Sequence, residues 1–343
     1  MYRILTYYEI NPQAWKKLVD ESPYATWFQT QEAYQFYAAN KGEMTPFACG
    51  VERDGELRAV VVGYITREKS AIKQYLTRRA IIIGGPLVAD SANEEDVARM
   101  LYAIQQPCRL IAQSPYRPTW RSAPIYIETR NFHDYSQWKE VFEACGFSYQ
   151  PHLNIQVACN ETHAMSEQRR RQVKKAIGNG ATIYEAQSVQ EIRDWYQILQ
   201  QLYREKVRTP LFTEEFFLEF YRKGWGKYLL VKHEGKIIGG MMCPILEGKA
   251  IYEWYVCGLD EEYKDLYPSV MATNAAIEYA KANGLPLFDF MGAGKPNEPY
   301  GVRDFKMEFG GELVEHGRFL CVRKSLLFWI GTIGVKWLKR RRV

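Results

Sequence analysis

The chain has 343 residues, 47% apolar and 25% charged, with a formal net charge of +5. These are the proportions of an ordinary globular protein, and at about 100–200 residues per domain the length suggests two domains. Five cations after Val335, namely Lys336, Lys339, Arg340, Arg341 and Arg342, equal the whole net charge, which excludes a globally basic nucleic-acid binder. The seven cysteines include no CxxC pair and the five histidines no HxxxH or HExxH spacing, so neither a disulfide framework nor a zinc site is expected. A reduced, cytosolic protein without a metal is the simplest reading. The opening MYRILTYYEINPQAW lacks the charged leader and apolar core of a signal peptide. No apolar run reaches the roughly 20 residues that span a bilayer.

In chain order, Thr30–Asn40 predicts an aromatic-rich helix with Thr30 at its N-cap. Phe47–Ile65 reads as strand, acidic-Gly turn, strand, which is a hairpin signal. Arg78–Pro86 (RRAIIIGGP) is a buried strand, Glu94–Gln106 a helix, Ser114–Pro124 a loop with three prolines, and Gln137–Cys145 a helix ended by Gly146. Leu153–Ala158 is a strand, and Ser166–Ile177 (SEQRRRQVKKAI) is a strongly cationic helix. Then the first pattern returns. Thr213–Lys223 is a second aromatic helix, and Lys227–Ile245 a second hairpin in which Gly235 aligns with Gly55 and Ile237 with Leu57. Ala250–Cys257 (AIYEWYVC) is a strand, Gly258–Pro268 an acidic loop, Ser269–Asn283 a helix stopped by Gly284, and Leu287–Phe290 a strand. Repetition at half the chain length implies two domains of one fold. The fold class is α/β (α+β), with two tandem mixed twisted sheets flanked by helices. The expected division is 1–158, 159–323, and a basic amphipathic C-terminal helix over 324–343.

The most informative stretch is Phe288–Gly311, FDFMGAGKPNEPYGVRDFKMEFGG. A short apolar strand with one carboxylate, Asp289, opens into a Gly/Pro-rich loop and ends in a basic and aromatic cluster. Side chains carried by such a loop stand at a sheet end, where sites concentrate. The order of residues resembles the C-terminal signature of the Fem-type aminoacyl transferases (FemA, FemB and FemX), in which a DFxG strand end is followed by FKxxFGG. That family carries two copies of the GNAT acyltransferase fold. The helix, hairpin, strand, helix, strand order of residues 213–290 is similar to the GNAT arrangement. The resemblance covers nearly all of the second half and, more weakly, the first. It lacks the long helical-arm insertion of the staphylococcal-type members.

The resemblance implies an enzyme that moves an aminoacyl group from aminoacyl-tRNA to an amine of a peptidoglycan or cell-envelope precursor. The acceptor would be lipid-linked or nucleotide-linked, and no cofactor would be tightly held. Lys306 matches the Lys of the FK motif and is the expected donor to a developing oxyanion. Asp289, at a strand end, is placed to orient the amine or take its proton. On the central strand, alternation sends Glu253 and Tyr255 to one face and Trp254 to the other; Tyr255 is a candidate proton donor to the leaving group, and plain packing of these aromatics is the alternative. Arg303, Lys295 and Tyr300 on the loop, Trp254, and the cations Arg208, Arg170 and Lys174 are candidate substrate contacts. Arg170 and Lys174 share a helix face and suit tRNA backbone or a diphosphate; a solvated helix face is the alternative.

The Gly258–Pro268 loop (GLDEEYKDLYP) stands where CoA-dependent GNAT enzymes carry a glycine-rich turn that cradles pyrophosphate. It has four carboxylates and no such glycines, which speaks against acetyl-CoA. Two other readings remain open. One is an N-acetyl- or N-acyltransferase using acyl-CoA on an amino sugar of an envelope polysaccharide. The other is a non-catalytic protein that binds an envelope precursor. In Lys324–Val343, Leu326, Ile330, Ile333 and Trp337 follow helical spacing ahead of the five cations. That pattern suits a helix lying on an anionic membrane surface, so the protein is expected in the cytoplasm, peripheral at the inner face of the membrane. A terminal helix docked on the body is the alternative.

Overall fold

The computed structural model describes residues 1–68, 70–111, 123–159 and 165–340. Most of the three-proline run, 112–122, lies outside the described residues, as do Arg341 and Arg342 and the side chains of Lys336, Lys339 and Arg340. The chain forms two units, Met1–Pro151 with His316–Val343, and His152–Glu315.

The first unit runs β1 (Tyr2–Thr6), α1 (Pro12–Glu21), α2 (Gln31–Ala39), β2 (Met44–Arg53), β3 (Glu56–Thr66), α3 (Ala71–Thr77), β4 (Ala80–Gly84), β5 (Leu87–Val88), α4 (Glu94–Ile104), α5 (Pro107–Ile111), β6 (Tyr126–Asn131), α6 (Lys139–Ala144) and β7 (Ser148–Gln150). The second runs β8 (Leu153–Ala158), α7 (Glu167–Gly178), β9 (Thr182–Glu185), α8 (Val189–Leu202), α9 (Glu214–Lys223), β10 (Gly226–His233), β11 (Lys236–Leu246), β12 (Ala250–Tyr252), β13 (Tyr255–Gly258), α10 (Pro268–Ala282), β14 (Leu287–Asp289), α11 (Gly301–Met307) and β15 (Glu312–Glu315). The chain then returns to the first unit with β16 (Arg318–Val322) and α12 (Ser325–Arg340).

The sheets are ordered β1-β2-β3-β4-β6-β16-β7 and β15-β8-β14-β12-β11-β10-β9. Each is antiparallel except for one parallel pair, β4 with β6 and β12 with β14. In each, one eleven-residue strand is paired at one end by a short strand of the main path and at the other by a short side strand: β3 by β4 and β5, β11 by β12 and β13. The two hairpins share their details. Asp54-Gly55 and Glu234-Gly235 all have positive φ, the type I′ geometry that matches strand twist. Both hairpins slip register at the same offset, after Val51 and after Val231. The duplication expected from Gly55 and Gly235 is therefore a repeat of the backbone itself.

Aliphatic faces of each sheet bury against their helices, around Val61, Ile82, Val97 and Leu101 in the first unit and Ile155, Ile251, Met271 and Ile277 in the second. The units differ where the parallel strands part. In the first, Gly84 ends β4 and Gly85 follows it, and a Cβ on Gly85 would sit 2.7 Å from Tyr135 Oη. Tyr135 donates to Pro86 O at 2.5 Å, and Gln29 Nε2 donates to Gly85 O at 2.7 Å. Side chains fill this opening, and every one of these groups is buried.

Three expectations change. Leu153–Ala158 belongs to the second sheet, paired with β14 and β15, and 316–343 belongs to the first unit, so the division lies at 151/152 and 315/316 rather than 158/159 and 323/324. The single strand Ala250–Cys257 is interrupted at Glu253 and Trp254, between β12 and β13. The loop after β14 contains a helix, α11, which carries Arg303 and Lys306. The first difference has a direct consequence. β16 lies between β6 and β7, so truncation after Glu315 removes an interior strand. That truncation is expected to abolish the cooperative unfolding transition of the first unit in urea, whereas truncation after Lys324 keeps it; circular dichroism distinguishes the two.

Candidate active site

The site forms where β12 and β14 stop pairing. Their last contact is Tyr252 opposite Asp289, followed by Glu253 N donating to Asp289 O at 2.9 Å. Beyond it β13 pairs with β11, and among the described strands with no other. Trp254 N donates to both Met242 O and Tyr252 O at 3.1 Å, which kinks the strand and breaks the alternation. Trp254 and Tyr255 therefore both reach Phe216, at 5.4 and 6.2 Å between ring centroids. The expectation that they point to opposite faces fails for this reason. Tyr255 also packs on Phe217 at 5.0 Å and Tyr203 at 6.3 Å, inside an aromatic cluster built with α9.

Asp289 is fully buried and its carboxylate is heavily hydrogen-bonded. It accepts from Asn154 Nδ2 at 2.9 and 3.0 Å, from Gln156 Nε2 at 2.8 Å and from Met291 N at 2.6 Å. Burial raises its pKa, and the hydrogen bonds from Gln156, Asn154 and Met291 pull it back. These bonds fix the start of the loop, where Met291 adopts a left-handed φ of 57°, a conformation that a non-glycine residue holds only when its surroundings enforce it. Asn154 Oδ1 accepts from Gly292 N at 2.7 Å and extends the restraint.

Lys306 is the other pin. Its ammonium donates to Phe290 O at 2.9 Å and Gly292 O at 3.0 Å and pairs with Glu253 Oε1 at 2.9 Å. A lysine has three N–H donors. All three are taken, leaving none for an oxyanion in this arrangement. Glu253 Oε2 is buried and has no hydrogen-bond partner among the described residues. Burial raises the pKa of Glu253, Lys306 opposes the rise, and Asp289 adds to it. A buried carboxylate with one oxygen unpartnered is costly to keep and is a group fitted to take a proton. The sequence marks it as the one carboxylate in the apolar run AIYEWYVC, though the residues expected to do chemistry were Lys306, Asp289 and Tyr255.

The other candidates divide. Arg303 Nε donates to Ala293 O at 2.8 Å, and its Nη2 to Glu298 O at 3.1 Å and to Lys295 O. Its guanidinium thus holds the loop 293–298 together. Lys295 pairs with Glu298 at 3.2 Å on the surface, and Tyr300 lies half-exposed against Gly294. Arg208, in a left-handed conformation, donates to Glu205 O at 3.1 Å. Arg170 faces Glu167 at 3.8 Å, and Lys174 is exposed. The inward cation of α7 is Arg169, buried between Phe305 (4.5 Å) and Phe309 (5.7 Å) and paired with Glu308 at 3.1 Å. It ties α7 to the FKMEFGG segment, a contact that the string of cations in α7 concealed.

At the N-terminus of α10, Asp260 accepts from Ser269 N at 3.0 Å and from Ser269 Oγ. A Cβ on Gly258 would stand 2.6 Å from Ser269 N. The helix end that could bind pyrophosphate is filled by the protein's own carboxylate.

A sequence profile of the acetyltransferase (GNAT) domain matches residues 165–307. The second unit carries a GNAT acyltransferase domain. No curated protein matches the chain. Among solved structures, FemX superposes with a TM-score of 0.70 at 14% identity, covering 96% of this chain and 99% of that one. L-PGS from Bacillus licheniformis gives 0.58 at 14% identity over 92% of each chain. The C-terminal domain of a putative lysylphosphatidylglycerol synthetase from Agrobacterium fabrum gives 0.56 at 11% identity, covering 94% and 95%. At these identities the likeness is one of fold, the tandem GNAT architecture of the Fem type, and it extends over both units.

Replacing Lys306 by Met strands the Glu253 carboxylate. Breaking a buried pair from one side costs about 3–5 kcal/mol. Because the folded-state pKa of Glu253 is already raised, its protonation favours the folded chain below the ordinary carboxylate range, and that contribution is lost as pH rises through the raised value. Removing the cation raises the pKa further. The destabilisation of Lys306→Met is therefore expected to grow from acidic to neutral pH, as read by urea unfolding of variant and wild type across that range.

Proposed function

We propose that the second unit transfers an aminoacyl group from aminoacyl-tRNA to the amine of a lipid- or nucleotide-linked cell-envelope precursor, with Glu253 as the base. The observation that carries the choice of donor is Asp260 at the N-terminus of α10. A diphosphate entering there would meet a carboxylate already hydrogen-bonded to the backbone donor it needs; of the other acidic side chains on the loop, Glu261 and Asp265 are paired with Lys206 and Lys175 at 2.6 and 2.7 Å. Repulsion and the loss of that donor both disfavour acyl-CoA. An aminoacyl ester does not require that cradle. The likeness in fold to FemX and to a putative lysylphosphatidylglycerol synthetase, whose name describes an amino acid joined to a lipid, supports the same reading.

In this reaction the acceptor nitrogen attacks the ester carbonyl carbon. The new bond is C–N, and the bond that breaks joins the carbonyl carbon to the ribose oxygen. Glu253 Oε2 takes the proton that the nitrogen sheds and returns it to the departing oxygen. Lys306 acts as a positioning residue: it holds Oε1, so that Oε2 is the oxygen presented, and it opposes the rise in the carboxyl pKa that burial causes. Asp289 and Asn154 fix the loop that faces this carboxylate. Tyr255 and Trp254, at the kink, line the same strand end and are set against the aminoacyl or acceptor portion of the substrates.

Donor choice is tested by incubating the protein with an envelope-precursor amine and either charged tRNA or acetyl-CoA. Product is expected from charged tRNA alone, and calorimetry with acetyl-CoA is expected to give no saturable heat. Micromolar acetyl-CoA binding with acetylated product would replace this reading with the acyl-CoA one.

A further inference from the structure

α12 is amphipathic in the reverse sense for a helix packed on a folded body. Phe328 turns inward onto Tyr126 of β6, with ring centroids 5.5 Å apart, and Leu327 beside it is half-buried. Leu326, Trp329, Ile330 and Ile333 lie on the opposite side and are exposed, Leu326 by 70% and Trp329 by 60%. Their spacing, i, i+3, i+4, i+7, is that of one helix face. The stripe does not stand alone. α3 packs against α12 within the same unit, and Lys324 Nζ lies 5.3 Å from the centre of the Tyr75 ring. α3 adds Ile72, 73% exposed, together with Tyr75 and Leu76. Two neighbouring helices thus turn their large apolar side chains to the outside, which scattered surface residues do not do.

The charges around these residues indicate what covers them. Residues 70–79 contain Lys73, Arg78 and Arg79 and no carboxylate. Residues 323–343 contain Arg323, Lys324 and the five terminal cations and again no carboxylate. A second copy of this chain would bring like charge against like. A nucleic acid would satisfy the cations and leave the leucine, isoleucine and tryptophan side chains without an apolar partner. An anionic lipid surface meets both requirements, since apolar side chains enter the acyl boundary while cations stay among the headgroups.

We propose that α3 and α12 together form a membrane-docking surface on the first unit that binds anionic phospholipid bilayers. The assignment rests on the first unit alone and is independent of the transfer reaction.

The test uses the full chain and sedimentation with vesicles of phosphatidylcholine, or of phosphatidylcholine mixed with phosphatidylglycerol. Binding to the mixed vesicles is expected, with little to the neutral ones, and added salt should weaken it. Trp329→Ser and the pair Ile72→Ser with Leu76→Ser should each weaken binding by about tenfold or more, since each removes large apolar surface from the docked face. In parallel, lipids brominated in the acyl chain should quench part of the tryptophan fluorescence of the wild type, and Trp329→Phe should reduce that part. This readout holds whether or not a serine variant loses stability. Failure of the wild type to bind mixed vesicles overturns the proposal. So does unchanged binding by the α3 pair, which would reduce the effect to the terminal cations. Displacement by soluble tRNA together with absent bromine quenching would mark a polyanion surface, and a dimer dissociated by the same serine variants without vesicle binding would mark a contact between copies. Either result overturns it as well.

Discussion

One ammonium group, Lys306 Nζ, draws together three parts of the second unit beyond the end of the β12–β14 ladder: the kinked strand through Glu253, the loop after β14 through the carbonyls of Phe290 and Gly292, and its own helix α11. A sheet whose parallel strands part has unsatisfied groups at the opening, and a buried carboxylate there is untenable without a cation. Lys306 answers both demands. Asp289 completes the arrangement from the other side by fixing Met291 in a conformation it would not otherwise hold. The site is therefore a rigid frame around one carboxylate oxygen, Glu253 Oε2, that the frame leaves unpartnered.

The first unit shows the same backbone with the opening closed. Gly84 and Gly85 stand at the end of β4, and Tyr135 and Gln29 enter the space and bond to the carbonyls there. Among the described residues, the hydrogen bonds of that plug come from Tyr135 and Gln29 rather than from a lysine or a glutamate. The two units thus share one backbone but place different groups where the parallel strands part, Tyr135 and Gln29 in the first and the Glu253–Lys306 pair in the second. The chain then weaves β16 back into the first sheet, so the first unit is complete only after the second has been traversed.

Much of this was legible in the residues. The hairpins announced themselves through Asp54-Gly55 and Glu234-Gly235, because an acidic-Gly pair between apolar runs leaves the backbone few choices. The FKMEFGG segment marked the place of the site, and Gly311 in it has a physical reason: a Cβ there would stand 2.6 Å from Ile155 Cγ2. What the pattern could not supply was partnership. The lysine of the motif looks like a free cation until its three acceptors are placed around it. Glu253 looks like one carboxylate in an aromatic strand until the kink at Trp254 is seen. Arg169 is one of several cations in α7, and only packing singles it out. The return of β16 was hidden because a five-residue strand does not state which sheet it joins, and α3 was missed because seven residues are too few for periodicity to speak.

The account depends on Glu253 accepting a proton from the attacking amine. The most direct measurement is the pH dependence of single-turnover transfer by the wild type and by Glu253→Gln, a change that keeps the shape and the bond to Lys306. The wild-type rate should fall on the acid side with an apparent pKa above the ordinary glutamate range, in the direction its burial dictates. In Glu253→Gln that limb should vanish, with the rate lower by about 10²–10⁴, the usual contribution of a positioned base. An unchanged rate and an unchanged acid limb in Glu253→Gln would contradict the account and leave Glu253 as a purely structural partner of Lys306.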